Sequence, residues 1–156
     1  MRLLNYIILV ALLSACIAQP APQSTPTAAA PLVIRSADNP YASKPGDSNL
    51  RVAGVDLTSM DLAEHTGDAP IRVVLRILGS LPRTCNALRI DVPEPNQQYQ
   101  IMVKVYSLLY PNVGCDNVFQ LFTASVLLGV YSAGRYTVWV NGGFVGDFVS
   151  QGNAPN

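Results

Sequence analysis

His65 is the only histidine in the chain, so any chemistry that needs an imidazole would have to use it. Three carboxylates stand near it in the sequence: Asp61, Glu64 and Asp68. Together these side chains could hold a metal ion. The three carboxylates without the imidazole would suit calcium, and the nearby Met60 would suit copper. However, there is no second histidine and no ligand spacing typical of a metal motif. We therefore favour a solvated loop here, and we predict neither a metal nor a cofactor.

The sequence also lacks a recognisable catalytic arrangement. A Ser–His–acid site would have to use the single histidine, and no nucleophile-elbow motif accompanies it. Asp91 and Glu94 could form the carboxylate pair of a glycosidase, but they flank a predicted turn, where charged residues are ordinary. No Cys-x-x-Cys pair indicates a redox site. We predict that the chain has no catalytic residues and is not an enzyme.

The N-terminus has the pattern of an export signal. Met1 and Arg2 supply a short positive segment, and residues 3–13 are apolar except for Asn5 and Tyr6. A helix of about 11 residues rises only about 16 Å, which is too short for a hydrocarbon core of about 30 Å. The stretch therefore predicts the apolar region of a signal peptide rather than a membrane span.

This stretch ends in the sequence LSAC at Leu13–Cys16, which resembles the lipobox of bacterial lipoproteins. The resemblance implies cleavage after residues 1–15, acylation of Cys16 and anchoring of the mature chain to a bacterial membrane outside the cytoplasm. Ile17, and not an aspartate, follows the cysteine. In bacteria with two membranes, this resembles the default pattern of lipoproteins that are sorted to the outer membrane. A plain secretory signal with an incidental Cys16 is the alternative.

Two further cysteines, Cys85 and Cys115, complete the set of three. Lipidation would use Cys16, and an oxidising compartment would then favour a disulfide between the other two. On the chain-entropy model, closing a loop of about 30 residues stabilises a fold by about 3–4 kcal/mol. Two free buried thiols are the alternative.

Composition changes along the chain and indicates its organisation. Residues 17–31 hold mainly Pro, Ala, Ser, Thr and Gln, with no charge, which predicts an extended tether. We assign 16–50 to the lipidated Cys16, this tether and an irregular lead-in, 51–150 to a folded domain, and 151–156 to a flexible tail. The 10 basic and 10 acidic residues balance and are scattered, so nothing predicts a nucleic-acid partner.

Alternating apolar residues from Val52 onward predict an all-β domain. We expect roughly seven strands, at about 52–57, 71–77, 88–92, 98–109, 119–128, 135–140 and 143–149. The first strand could continue toward Leu62, although a helical turn could compete over 57–64. Arg89 and Asp91 should face solvent. The predicted core-facing residues of the second to fifth strands are Ile71, Val73, Leu75 and Ile77; Leu88, Ile90 and Val92; Ile101, Val103 and Val105; and Phe122, Ala124, Val126 and Leu128.

Seven short strands separated by turn residues predict an antiparallel β-sandwich. Ala133–Val138 resembles the penultimate strand of immunoglobulin-like domains, where a tyrosine after a small-residue turn locks the corner between the sheets. The segments Gly79–Cys85 and Ala133–Gly142 also resemble a group of uncharacterised bacterial envelope lipoproteins. The resemblance implies an immunoglobulin-like sandwich and an envelope location, and it implies no activity.

Asn141-Gly142 between two apolar runs predicts a β-hairpin with a type I′ turn. The turn would place Trp139 opposite Phe144 and Val138 opposite Val145. One face of the hairpin would then hold Tyr136, Val138, Val140, Val145 and Val149, and the other Trp139, Phe144 and Phe148.

A hairpin that packs on one side should have one polar face, and this hairpin has none. Either neighbouring structure such as residues 32–41 covers Trp139, Phe144 and Phe148, or these three form an exposed aromatic patch that binds an envelope protein or a glycan. The sequence thus predicts a lipid-anchored, non-catalytic binding or adhesion module. A structural subunit of an envelope complex is the alternative, followed by a loop-based protease inhibitor and a metal-binding domain.

Overall fold

The computed structural model of the protein describes residues 34–35, 39–67, 71–111 and 114–152. The predicted signal peptide, Cys16 and the tether lie outside these ranges. The described ranges hold no helix that is long and apolar enough to span a membrane.

The described residues form nine β-strands and one short 3-10 helix, Pro45–Asn49. The strands are β1 (Ile34–Arg35), β2 (Arg51–Ala53), β3 (Asp56–His65), β4 (Arg72–Leu81), β5 (Asn86–Asp91), β6 (Gln100–Leu109), β7 (Gln120–Leu127), β8 (Gly134–Val140) and β9 (Gly143–Ser150). They pack as two sheets with a shared apolar core, and the predicted all-β sandwich is confirmed.

The first sheet has the strand order β1-β7-β4-β3, and the second has the order β2-β6-β8-β9, with β5 also paired to β6. Most neighbours are antiparallel, but β1 runs parallel to β7 and β6 runs parallel to β8. One edge of β6 pairs with β5, while its other edge pairs first with β8 and then with β2. The strand β6 therefore organises the second sheet.

The core lies between the sheets and contains the predicted faces of β4, β5, β6 and β7. Alternation identifies these faces because every second side chain of a strand points to the same side of its sheet. Ile71 is the exception: it precedes β4 and is 61% exposed, so its predicted place in the core is wrong.

The predicted single strand at 52–57 is wrong, because two strands of different sheets share this segment, whereas its continuation toward Leu62 is confirmed as part of β3. The strand β2 pairs with β6, and β3 pairs with β4. A β-bulge between Leu57 and Ser59 shifts the alternation, so that Leu57 and then Met60 and Leu62 pack against the core. This shift made the sequence resemble a helical turn, whereas β3 is extended throughout.

Residues 39–50, here called the N-terminal strap, lie along the outer edge of β5. The backbone N–H of Ile90 donates to the carbonyl of Tyr41 at 2.8 Å, and the amide of Asn39 donates to the carbonyl of Ile90 at 2.8 Å. Tyr41 also packs against the core. The strap thus covers a sheet edge that would otherwise be free to pair.

Arg89 fixes the strap to β5, and the prediction that it faces solvent is wrong. The side chain is only 4% exposed and forms two hydrogen bonds with Asp47 of the strap, at 2.6 and 2.9 Å. These hydrogen bonds from Arg89 lower the pKa of the Asp47 carboxyl to about 2. The Arg89 side chain also donates to the Tyr110 hydroxyl at 3.2 Å and to the Leu88 carbonyl at 2.9 Å, so the buried guanidinium has several partners.

The predicted Cys85–Cys115 disulfide is confirmed, with the two Cα atoms 5.0 Å apart. It ties the connection between β4 and β5 to the loop before β7. Thr84 and Asp116 strengthen the same junction, since the N–H of Thr84 donates to the Asp116 carbonyl and the N–H of Asp116 donates to the Thr84 hydroxyl. The loop is therefore held to the sandwich at its disulfide end.

The predicted tyrosine lock is present at the start of β8. Tyr136 is buried, and its hydroxyl donates to the carbonyl of Ser132 at 3.1 Å and lies 3.0 Å from the Ser132 hydroxyl. A hydrogen bond from the tyrosine hydroxyl to the backbone a few residues upstream is the arrangement of a tyrosine corner. It fixes the chain where it enters the second sheet.

Candidate functional site

The hairpin of β8 and β9 carries the residues predicted to bind a partner. Asn141 and Gly142 have φ angles of 49° and 86°, so both central positions of the turn are left-handed, and the predicted hairpin is confirmed. Trp139 pairs with Phe144, as expected from the turn. Val138, however, pairs with Gly146 rather than with Val145. A β-bulge that follows the pair of Trp139 with Phe144 inserts one extra residue into β9.

The bulge exchanges the two faces of β9 beyond Val145. Phe148 turns toward the core and stacks on Tyr136, with ring centroids 5.6 Å apart, while Val149 turns outward and is 60% exposed. A shift of one residue moves every later side chain to the opposite face of a strand. The prediction that Phe148 shares a face with Trp139 and Phe144 is therefore wrong.

Trp139 and Phe144 remain together on the outer face of the second sheet. Their ring centroids lie 5.3 Å apart in an edge-to-face arrangement. Phe144 is 55% exposed and Trp139 is half-buried. The indole N–H of Trp139 donates to the Thr137 hydroxyl at 3.1 Å, which satisfies its polar atom and fixes the orientation of the ring.

Met102 extends this pair onto a third strand, because β6 and β8 are neighbours and Met102 is in register with Trp139. Its side chain is 39% exposed. Phe144, Trp139 and Met102 thus form a row across β9, β8 and β6, which we call the apolar row. Sequence reasoning missed Met102, since a parallel pairing between strands so far apart leaves no local pattern; its only signal is an apolar residue on the polar face of β6.

Polar residues border the apolar row on the same three strands. Gln100, Thr137 and Asp147 are in register with one another and form the next row. Asp147 pairs with Arg135 at 2.6 Å, and Lys104 follows Met102 on the outer face of β6. An apolar centre with a polar border is the usual composition of a protein-binding surface.

The described part of the lead-in does not reach the apolar row. Ile34–Arg35 pair with β7 in the first sheet, and Tyr41 lies against β5. Of the predicted cover at 32–41, residues 34–35 and 39–41 therefore lie elsewhere than on the face of Trp139, and residues 32–33 and 36–38 lie outside the described ranges.

A second concave surface is lined by the C-terminal parts of β3 and β9, the start of β4 and the segment after β7; we call it the β3–β9 groove. Its volume is about 560 Å³, and its lining includes Leu62, Tyr131 and Phe148. The groove is bounded by three exposed aliphatic side chains, Ile71, Val130 and Val149. Burial raises the pKa of the Tyr131 phenol above its ordinary value. The groove had no signal in the sequence, because its walls come from four separate segments.

The polar cluster around His65 lies on β3 and not in a loop, so the predicted loop is wrong. Asp61 accepts a hydrogen bond from the Nε of Arg76 at 2.8 Å. Asp61 and Glu64 are three residues apart along a strand, so their side chains point to opposite faces. Asp68 lies outside the described residues, and within the described ranges no three His, Cys, Asp or Glu residues are grouped closely enough to hold a metal ion.

Residues 75–150 match a family model, the ORF11 β-sandwich domain. The match begins within β4 and ends with β9, so it includes the disulfide, the tyrosine lock and the apolar row. No curated protein and no solved structure matches the chain. The family match agrees with the two-sheet architecture and indicates no activity.

Proposed function

We propose that the chain is a lipid-anchored, extracytoplasmic binding module that holds a protein of the bacterial cell envelope on its apolar row. The main support for this proposal is the position of the apolar row. Phe144, Trp139 and Met102 come from three strands and lie side by side on the outer face of one sheet. Phe144 and Met102 are exposed beside the half-buried Trp139, and contiguous exposed apolar side chains are typical of interaction sites. The module acts by binding and not by catalysis.

The chemistry of the row favours a protein over a glycan as the partner. Tryptophan, phenylalanine and methionine are enriched in the centres of protein interfaces, where a polar border excludes water. Trp139 is held by Phe144 and by Thr137, so little conformational entropy is lost when a partner covers it. The surrounding strands are hydrogen-bonded on both sides of β8, which makes the surface rigid.

The membrane anchor is the second part of the proposal and rests on the lipobox at Leu13–Cys16. The predicted tether of 17–31 separates Cys16 from the sandwich. An extended chain of this composition spans about 3 Å per residue, so it could hold the domain about 30–45 Å from the membrane. Incorporation of a labelled fatty acid into the wild type and its loss in Cys16→Ser would support acylation, whereas equal labelling of both would refute it.

Co-purification from detergent-solubilised envelope tests the binding face. We compare the wild type with Trp139→Ala and Phe144→Ala, and we use Phe119→Ala as the matched control, because Phe119 is exposed to a similar degree at 66% but precedes β7 in the other sheet. We expect the wild type and the control to retain a partner that both row variants lose. Equal recovery by all four proteins, each shown to be folded by its thermal transition, would refute the proposal.

Treatment of the retained material identifies its class. Protease should remove the partner if it is a protein, as we propose. Material that resists protease and is removed by glycosidases would show that the apolar row binds a glycan instead.

The β3–β9 groove supports a second candidate function, the binding of an apolar ligand. Its volume of about 560 Å³ lies within the range of ligand sites, and exposed aliphatic residues surround its opening. Val149→Glu would place a charge at this opening without touching the apolar row. Solvent extraction and mass spectrometry of the purified proteins should then recover an apolar molecule from the wild type and from Trp139→Ala but not from Val149→Glu, and no such molecule from the wild type would refute the groove as a ligand site.

A further inference from the structure

Large apolar side chains are exposed where β7 begins. Leu121 is 84% exposed, and Phe119 and Val118, which directly precede the strand, are 66% and 59% exposed. Leu78 of β4 is 41% exposed on the same outer face of the first sheet, since it pairs with Thr123, two residues after Leu121. We call Val118, Phe119, Leu121 and Leu78 the β7 tip. An exposed apolar group of this kind is typical of a contact with another protein or with a membrane.

The charges around the β7 tip favour a membrane as its partner. Residues 117–128 contain no charged residue. Along the row of Leu121 on the outer face of the sheet, the first charge is that of Asp56 on β3, two strands away. A surface that enters hydrocarbon must keep charged groups out of it, because a charge in the bilayer is costly. The β7 tip meets this requirement.

The direction of β1 places the entry of the tether on the same side of the molecule. The strand β1 runs parallel to β7, and its Ile34 lies opposite Val126. A chain that enters β1 therefore arrives from the end of β7 that holds Leu121. Residues 17–33 connect the predicted anchor Cys16 to this point, and an extended chain of that length spans about 50 Å. The tether thus leads from the membrane to the β7 tip and is long enough to let the two meet.

We propose that the β7 tip inserts into the lipid bilayer that carries the acylated Cys16, so that the domain rests on the membrane surface. This inference rests on the lipid anchor of the proposed function. The anchor keeps the domain close to the bilayer, and the resulting high local concentration makes a weak apolar contact sufficient. Since the tip has no basic residue, the contact depends on hydrocarbon and not on anionic headgroups.

The backbone of the β7 tip is held in place before any lipid binds. The Cys85–Cys115 disulfide and the hydrogen bonds between Thr84 and Asp116 fix the loop that leads to Val118, and Leu121 belongs to a paired strand. Little conformational entropy is then lost on insertion. The apolar row lies on the outer face of the second sheet, so it points away from the bilayer and stays accessible to a protein partner.

Quenching of tryptophan fluorescence by brominated lipid tests the insertion, because Trp139 is the only tryptophan of the chain. We use the acylated full chain with Trp139→Phe and add either Phe119→Trp or Phe144→Trp. Both replace an exposed phenylalanine, 66% and 55% exposed, but on different sheets. On vesicles of phosphatidylcholine brominated in its acyl chains, we expect the Phe119→Trp protein to lose much of its fluorescence and the matched Phe144→Trp control to keep it.

Two further variants keep the test independent of one substitution. Leu121→Trp in place of Phe119→Trp should be quenched as well, and the high exposure of Leu121 means that this change disturbs no packing. Leu121→Glu added to Phe119→Trp should abolish the quenching without releasing the protein from the vesicles, because the acyl anchor remains.

Flotation of the same vesicles separates this inference from the anchor. Protein that floats with the vesicles but shows no quenching from positions 119 and 121, equal quenching from positions 119 and 144, or quenching that survives Leu121→Glu would overturn the insertion of the β7 tip and leave the anchor intact. Protein that does not float would overturn both.

Discussion

The side-chain amide of Asn141 pairs with the backbone of Val105 as a neighbouring strand would. Its Nδ2 donates to the Val105 carbonyl at 2.8 Å, and the Val105 N–H donates to its Oδ1 at 2.9 Å. The N–H of Asn141 also donates to the carbonyl of Val103 at 3.0 Å. Val105 lies between the part of β6 that pairs with β8 and the part that pairs with β2. Asn141, a turn residue, therefore supplies hydrogen-bond partners for the backbone of β6 at the point that neither β8 nor β2 reaches.

Substitution of Asn141 separates its two roles. Asn141→Gly keeps the left-handed turn but removes both side-chain hydrogen bonds, so we expect the free energy of unfolding to fall by about 1–3 kcal/mol. Asn141→Asp should also destabilise, because a carboxylate accepts from the Val105 N–H but cannot donate to its carbonyl. Urea unfolding measures both. A stability of Asn141→Gly equal to that of the wild type would show that the amide has no structural role.

The tyrosine lock predicts a graded response at Tyr136. Tyr136→Phe removes the hydroxyl that bonds Ser132 and keeps the stacking on Phe148, so it should cost about 1 kcal/mol. Tyr136→Ala removes the buried ring as well and should cost about 3–5 kcal/mol. Thermal or urea unfolding distinguishes the two. An equal loss of unfolding free energy in Tyr136→Phe and Tyr136→Ala would mean that the hydroxyl, and not the packing of the ring, gives Tyr136 its stabilising effect.

The disulfide predicts a loss of stability on reduction. Replacing Cys85 and Cys115 together by alanine should lower the free energy of unfolding by about 3–4 kcal/mol, because the unfolded chain regains the freedom of the closed loop. A reducing agent should lower the stability of the wild type by a similar amount and leave the double variant unchanged. Reductant sensitivity of the double variant would contradict this explanation.

The ion pair of Asp47 and Arg89 predicts a pH dependence of stability. The folded-state pKa of Asp47 is lowered to about 2, mainly by hydrogen bonds from Arg89, while an unfolded aspartate has a pKa of about 3.9. The folded state therefore binds the proton more weakly, so this contribution is fully present above about pH 4 and is lost as the pH falls through about 2.

Urea unfolding between these pH values, with wild type and Asp47→Asn, checks this dependence. The difference in unfolding free energy between the two proteins should shrink as the pH falls toward 2. A difference that stays constant over this range would show that Asp47 does not titrate with the strap in place.

Alternation in the sequence predicts most of the core correctly, because a strand that buries one face repeats its pattern every two residues. Leu75, Ile101 and Val126 are fully buried as expected. The bulges at Leu57 and after Val138 defeated the same reasoning, since one inserted residue reverses all later side chains. The bulge after Val138 alone explains why the predicted face of Phe148 is wrong.

Long-range pairings were the other limit of prediction. Arg89 looked like a solvent-facing residue because its partner Asp47 lies 42 residues away in the strap. Met102 joins Trp139 only through the parallel pairing of β6 with β8. The candidate site could therefore be predicted in its local part, Trp139 and Phe144 across one turn, and not in its full extent.

Site-specific photo-crosslinking in living cells tests the proposed binding face most directly. A benzophenone amino acid at position 144 should give an adduct with an envelope protein upon irradiation, and the adduct should disappear when Trp139→Ala is added. The same amino acid at position 119 should not give this adduct. No adduct from position 144, or one that forms equally well from position 119 and survives Trp139→Ala, would contradict the assignment of binding to the apolar row.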